Sequence, residues 1–244
     1  MLNIQSKVKE LRDLSQKMLI VGKLQEINEQ LLKSYEIRVA GYAIRPLLVE
    51  AYYYDRNRFP DPSIHAANEN EKIWEKQSDR FGHLYVHKVG RGGIDLVLSD
   101  SAEYCLSILI KNAEVRKEGD LEGTFYSQVT LKRLLCDGVE ANRLESEKVL
   151  FPRENQNQNT MIWHTIRKNT VQGDYAQCAL ASFYLEDLKK HSKMAESLQE
   201  GKEKIVQAYL KEKCLGQSRE LWEELAGEYA GSKMPMFMNE VFKD

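Results

Sequence analysis

The sequence predicts an α+β protein, with a β-rich core over residues 35–188 and helical segments at 1–34 and 189–244. Three observations predict it. Residues 3–33 set Ile4, Val8, Leu11, Met18, Leu24, Ile27 and Leu31 at helical spacing with charges between them. From Tyr35 the chain changes to β-branched and aromatic residues, in "YEIRVAGYAIRPLLVEAYYY". From Leu188 helix formers return, and "KEKIVQAYLKEKCLGQSRELWEELAGEYA" reads as two amphipathic helices hinged at Gly216.

In the first segment, Val21–Gly22 marks a break between two helices. Strand character begins at Tyr35, and Pro46, which lacks an N–H, points to an edge or strand-start position. Residues 55–82 are polar and turn-rich and read as a long loop with one helical turn; loops of that length in compact domains are often functional. "HLYVHKV" and "GIDLVLS" are two short strands joined by "GRGG", and "YCLSILIKN" is apolar enough for a central strand. "FYSQVTLKRLLCDG" reads as a helix ending at Gly138, "RENQNQNT" as a polar loop, and "QCALASFYLED" as a last strand.

The 244 residues suffice for a sizeable core. There is no apolar run of membrane-spanning length and no secretory leader pattern, so the expected location is the cytoplasm. Cys105, Cys136, Cys178 and Cys214 lie far apart and read as scattered thiols rather than a zinc site or disulfide framework. Net charge is −2, and residues 36–188 carry 19 Lys/Arg against 23 Asp/Glu, so any nucleic-acid footprint is a local patch.

Polar residues recur at strand ends and in the long loop: Glu50, His65, His87 and Asp95, with Lys111 closing "ILIK". Tyr85 and His87, two apart on a strand, share a face and wall one side of a site. Each has a structural role open to it as well. Glu50 has Arg45 and Lys111 as candidate ion-pair partners, His65 follows an Asp-Pro turn, and "GRGG" suits a hairpin as well as close backbone approach. No H-E-x-x-H spacing supports a metal, and no P-loop, dinucleotide or G-x-S-x-G fingerprint is present, so no cofactor is expected.

"VEAY" at 49–52, His65, "LYVH" at 84–87, "SILIKNAEV" at 107–115 and "GDYAQCALASFYL" at 173–185 follow one another in an order that resembles the alkyladenine (3-methyladenine) DNA glycosylases. A divergent glycosylase-like pattern, D-P-x-x-H … Y-x-H … G-G-x-D … I-L-I-R/K, is matched better still. The resemblance covers about 35–188 and implies a curved, mostly antiparallel sheet akin to the C-terminal domain of methionyl-tRNA formyltransferase. It implies base-excision chemistry, an N-glycosyl hydrolase acting on a purine-type base, with Glu50 activating water. Tyr52, His65, Tyr85, His87, Asp95 and Lys111 become substrate-binding positions, with Arg91 and Gly92 near the nucleic-acid backbone.

Several positions depart from the family. Gly90, followed by Arg91, stands where a tyrosine wedge enters the duplex, and His87 replaces a strand tyrosine. The family's asparagine falls near Val97 or is replaced by Asp95, and "DGVEANRLESEK" lacks the expected Gly/Pro-rich segment. Base flipping costs a few kcal/mol, part of which a wedge offsets, so single strands or free nucleotides and nucleosides suit this chain better than duplex DNA.

Two other roles compete. One is a non-catalytic nucleotide or nucleic-acid binding module on the same scaffold. The other is an assembly role for the helices at 1–33 and 189–244. A helix-turn-helix over 202–230 is disfavoured by Glu220, Glu223, Glu224 and Glu228, which would repel phosphates.

Overall fold

The computed structural model describes residues 3–68, 71–88, 92–153, 161–167, 175, 178–191 and 194. Two helices come first, α1 (Ile4–Arg12) and α2 (Lys17–Ser34). The α1 helix is capped by Asn3, whose side chain accepts from the Gln5 N–H. The break between them falls at 13–16 rather than at Val21–Gly22. Gly22 lies inside α2, where the apolar face formed by Ile20, Leu24, Ile27 and Leu31 holds the helix together through packing.

The strands are β1 (Tyr35–Val39), β2 (Tyr42–Asp55), β3 (Phe59–Pro60), β4 (Leu84–Val86), β5 (Ile94–Val97), β6 (Cys105–Lys117), β7 (Thr124–Ser127), β8 (Leu150–Pro152), β9 (Ile162–Thr165) and β10 (Ala181–Tyr184). Between them lie a 3-10 turn (His65–Asn68), α3 (Glu71–Gln77), α4 (Gln128–Cys136) and α5 (Ala141–Ser146), with α6 (Leu185–Lys190) after β10. They form a curled sheet ordered β4-β5-β6-β2-β1-β8, in which every described pairing is antiparallel. The expected mixed fold with an antiparallel sheet is therefore present. Among the described residues no helix is long and apolar enough to cross a membrane.

Strands β2 and β6 are the spine, paired from Tyr42↔Lys117 to Tyr54↔Cys105. Pro46 lies inside this central strand, not at an edge or start. On its other side β2 meets β1 at 42–44 and β10 only from Leu48, and the β2–β6 register shifts between Pro46 and Val49. The missing N–H therefore falls where the ladder is already interrupted.

Alternation divides the sheet into two faces. Val49, Ala51, Tyr53, Leu84, Leu96, Leu106, Ile108 and Ile110 join α1 and α2 in one hydrophobic core. Asn28 ties α2 down by donating to the Leu180 carbonyl at 3.1 Å and the Ser182 hydroxyl at 3.0 Å. The opposite face is covered by the 61–77 segment, whose Ile64 and Ala66 pack on Cys105 beside Tyr52, Tyr54, Ile73 and Trp74. That segment is more ordered than the expected loop, with the 3-10 turn and α3 both within it.

The stretch read as one helix from Phe125 begins as a strand. Thr124–Ser127 pairs with β6, and the helix starts only at Gln128, behind a Ser127/Thr130 capping box. Gly138 follows it with a φ of 69°, the left-handed conformation of a helix stop. The "RENQNQNT" segment, apart from Arg153, and the helices expected over 189–244, apart from the end of α6, His191 and Met194, lie outside the described residues.

Candidate functional site

The second face of the sheet gathers the sequence's polar positions in one row. Tyr85 faces Asp95, Asp95 faces Leu109, Leu109 faces Glu50, and Glu50 faces Ala181. Directly opposed residues share a face, so the register alone puts Tyr85, Asp95 and Glu50 together. The next row adds Ser107 opposite Tyr52. His87, two residues beyond Tyr85, and Lys111, two beyond Leu109, continue the same face.

Glu50 is 3% exposed and accepts a hydrogen bond from the Tyr52 hydroxyl at 2.9 Å. Lys111 sits at the register shift, opposite no residue of β2, and its Nζ is 3.8 Å from Glu50 Oε2. Of the two candidate partners, Lys111 is thus the one the fold supplies. Arg45 turns instead to Glu114 at 3.0 Å and Asp187 at 3.3 Å. Burial, then the Glu50 charge, lifts the Tyr52 phenol well above its ordinary value, so Tyr52 is a proton donor to the carboxylate.

Asp95 is equally buried and fully engaged. His87 Nε2 lies 2.8 Å from its Oδ1, while Gln77 Nε2 at 3.2 Å and the Ser107 hydroxyl at 3.1 Å donate to Oδ2. A carboxylate in that environment is costly unless it is bonded this way. Burial alone pulls the His87 imidazole down, but the charge and hydrogen bond of Asp95 outweigh it and the net shift is upward. Lys132 donates to the His87 carbonyl and fixes its backbone.

His65 stands edge-on to His87, with ring centroids 4.5 Å apart, and Tyr85 is tilted against His87 at 5.0 Å. Burial, then the His87 charge, lowers the His65 imidazole, while burial raises the Tyr85 phenol to about 12. Two adjacent rings therefore hold protons with different affinity. Tyr52 and His65 are the partly exposed members of the group.

Of the nucleic-acid backbone positions, Arg91 lies outside the described residues, as does Gly90 at the expected wedge. Gly92 is described and half-buried. Among the described residues, no group of three or more His, Cys, Asp or Glu side chains is placed to hold a metal ion.

Two residues at this site were not among the sequence candidates. Arg167 and Asp61 are fully buried and joined at 2.5 Å from Nη1 to Oδ2. Arg167 Cζ stands 4.6 Å from the centre of the Tyr52 ring. Asp61 was legible only as a turn residue, and Arg167 lies 106 positions away from it.

A second polar line is also present. His164 Nδ1 is 2.9 Å from the Ser182 hydroxyl and its Nε2 is 3.1 Å from Glu29. Ser182 is wholly buried beneath α2, with Asn28 donating to its oxygen, so this line ties α2 to β9 and β10 rather than presenting a nucleophile. No protein-family model matches the chain, and no curated protein matches it.

Proposed function

We propose that the polar face is the active site of a glycosylase-like N-glycosyl hydrolase acting on a purine-type base, as the resemblance to the alkyladenine DNA glycosylases implies. One observation carries the reading. Residues far apart in sequence, Glu50, Tyr52, His65, Tyr85, His87, Asp95 and Lys111, meet on one side of the sheet around a carboxylate.

Cleaving an N-glycosidic bond builds positive charge on the sugar and requires an activated water. Glu50 supplies the carboxylate for both, and the Tyr52 hydroxyl fixes its orientation. The flat rings of Tyr52, His65 and Tyr85 suit a base taken out of its stack. His87, its Nε2 held by Asp95, offers Nδ1 to the base, as an acceptor in the neutral ring and as a donor in the protonated one. Single-stranded DNA or a nucleoside is the proposed form of the substrate, given Gly90 at the wedge position and the absence of a bulk basic charge.

The test is release of hypoxanthine or an alkylated purine from single-stranded and duplex oligonucleotides and from nucleosides, read as abasic sites or free base. Glu50→Gln is expected to lower the rate by about 100-fold or more, the range of a general base. Absence of turnover on all three substrate forms rejects catalysis.

The proximity of Lys111 to Glu50 favours the second reading, a nucleotide-binding module without chemistry. That reading predicts ligand-dependent thermal stabilisation that survives Glu50→Gln.

A further inference from the structure

We infer that the buried Asp61–Arg167 ion pair is the positioning element of this site, setting the walls that carry Tyr52 and His65 against each other. The inference rests on the reading of Glu50, Tyr52 and His65 as one functional site.

Arg167 follows β9 by two residues, and its guanidinium reaches three separate pieces of chain. Nη1 donates to Asp61 Oδ2 at 2.5 Å and to the Ala51 carbonyl at 3.2 Å, and Nη2 donates to the Tyr175 carbonyl at 3.1 Å. Ala51 is the residue between Glu50 and Tyr52, so the contact fixes β2 where both side chains leave it. The same cation lies 4.6 Å from the centre of the Tyr52 ring, within the range of a cation–π contact. Tyr52 in turn holds Glu50 Oε2.

The other half of the pair governs the opposite wall. Asp61 starts the segment that crosses the polar face, and its Oδ1 accepts from the Ser63 N–H at 2.9 Å, closing the turn that leads to His65. One carboxylate therefore sets the turn with one oxygen and meets Arg167 with the other. The planar fork of arginine suits such a junction, because a single rigid group satisfies a carboxylate and two carbonyls while stacking on a ring.

Stability alone is a poor reason for this arrangement. A buried ion pair is often no better for stability than apolar residues of the same volume. Here both partners are completely buried, and beside its bond to the Tyr175 carbonyl Arg167 meets the Ala51 carbonyl, Asp61 and the Tyr52 ring, which lead to the candidate site. Arg167 reaches the site through the Tyr52 ring and the Ala51 carbonyl, and is a positioning residue.

The test uses the full chain labelled with 3-fluorotyrosine, with the Tyr52 fluorine resonance identified by its loss in Tyr52→Phe. Arg167→Lys keeps the charge and removes the fork. It is expected to shift or broaden the Tyr52 resonance and to lower single-turnover base release about tenfold or more. Asp61→Asn, which keeps shape and the turn-forming oxygen, is expected to move the same resonance. A folded Arg167→Lys protein with a wild-type Tyr52 resonance overturns the inference.

If both variants fail to fold, the wild-type protein decides. Nuclear Overhauser contacts between arginine guanidinium protons and the Tyr52 ring support the inference, and their absence rejects it. A wild-type protein that releases no base removes the hydrolase reading, while the resonance of Tyr52 still reports on positioning.

Discussion

His65 and His87 are two imidazoles in ring contact whose proton affinities are driven apart by their surroundings. Both start from an ordinary value of 6.5. His65 moves down, through burial and then the charge of His87. His87 moves up, because the charge and hydrogen bond of Asp95 together exceed the effect of burial. Lowering the pH should therefore protonate His87 first. The sign for stability follows from linkage. His87 contributes stability that is complete below the unfolded value and is lost as the pH rises through its higher folded value. His65 contributes stability present above the unfolded value and lost as the pH falls through its lower folded value. In Asp95→Asn both upward influences disappear, leaving burial and the charges of Lys132 and Lys111, so the His87 midpoint should fall below 6.5. Proton NMR of the histidine Cε1–H signals, assigned with His65→Gln, measures both midpoints; equal midpoints in the wild type, or no change in Asp95→Asn, contradict this account.

At the scale of elements, the β4–β5 hairpin depends on close approach at Gly93. A Cβ there would stand 2.6 Å from Gln128 Cγ and 2.7 Å from Leu109 Cδ1, closer than side chains tolerate. Gly93→Ala should therefore displace α4 or β6 and cost about 1–3 kcal/mol, the usual penalty for overpacking. Urea unfolding of the variant measures it, and a change within about 0.5 kcal/mol would remove the close-packing explanation. The "GRGG" stretch suits close backbone approach, and the neighbours at Gly93 are a side chain of β6 and one of α4. Ile108→Ala on the opposite face is a second check. It removes a fully buried side chain from the α1/α2 core and should cost roughly 2–5 kcal/mol in the same unfolding experiment. The strands β2, β4, β5 and β6 were legible because composition and alternation report local strand preference. The helix break at 21–22 and the edge role of Pro46 were misread for a shared reason. Gly22 is held by packing along α2, and Pro46 by a gap between β1 and β10, and neither partner is visible in the local sequence. Strands β8 and β9 flank the polar 153–160 stretch, and β8 ends on Pro152, so neither shows a strand signal of its own.

For the whole molecule, the convergence of Glu50, His65 and His87 was legible only through the order of motifs, because alternation fixes a face within a strand but not the register between strands. The pairing of Arg167 with Asp61 was not legible at all, since it exists only once β9 and the 61–77 segment are both in place. The same dependence applies to the N-terminal helices, which the sequence separated from the core at 34. In the structure Ile4, Val8, Leu11, Ile20, Leu24, Ile27 and Leu31 are at most 1% exposed and belong to the same apolar cluster as β2 and β6. Fully burying such a side chain is worth roughly 1.5–3 kcal/mol, so the seven together represent about 10–20 kcal/mol. Allowing about a third less for a compact unfolded chain leaves a loss comparable to the roughly 5–15 kcal/mol that holds a typical domain folded. A chain lacking residues 1–34 would also expose Val49, Ala51, Ile108 and Ile110 to water and leave Ser182 without Asn28. It should therefore lack a cooperative thermal transition and show little amide protection in β2 and β6. A truncated protein that melts cooperatively within a few degrees of the full chain would establish 35–188 as a self-sufficient core, and α1 and α2 would then be accessories rather than one of its two layers.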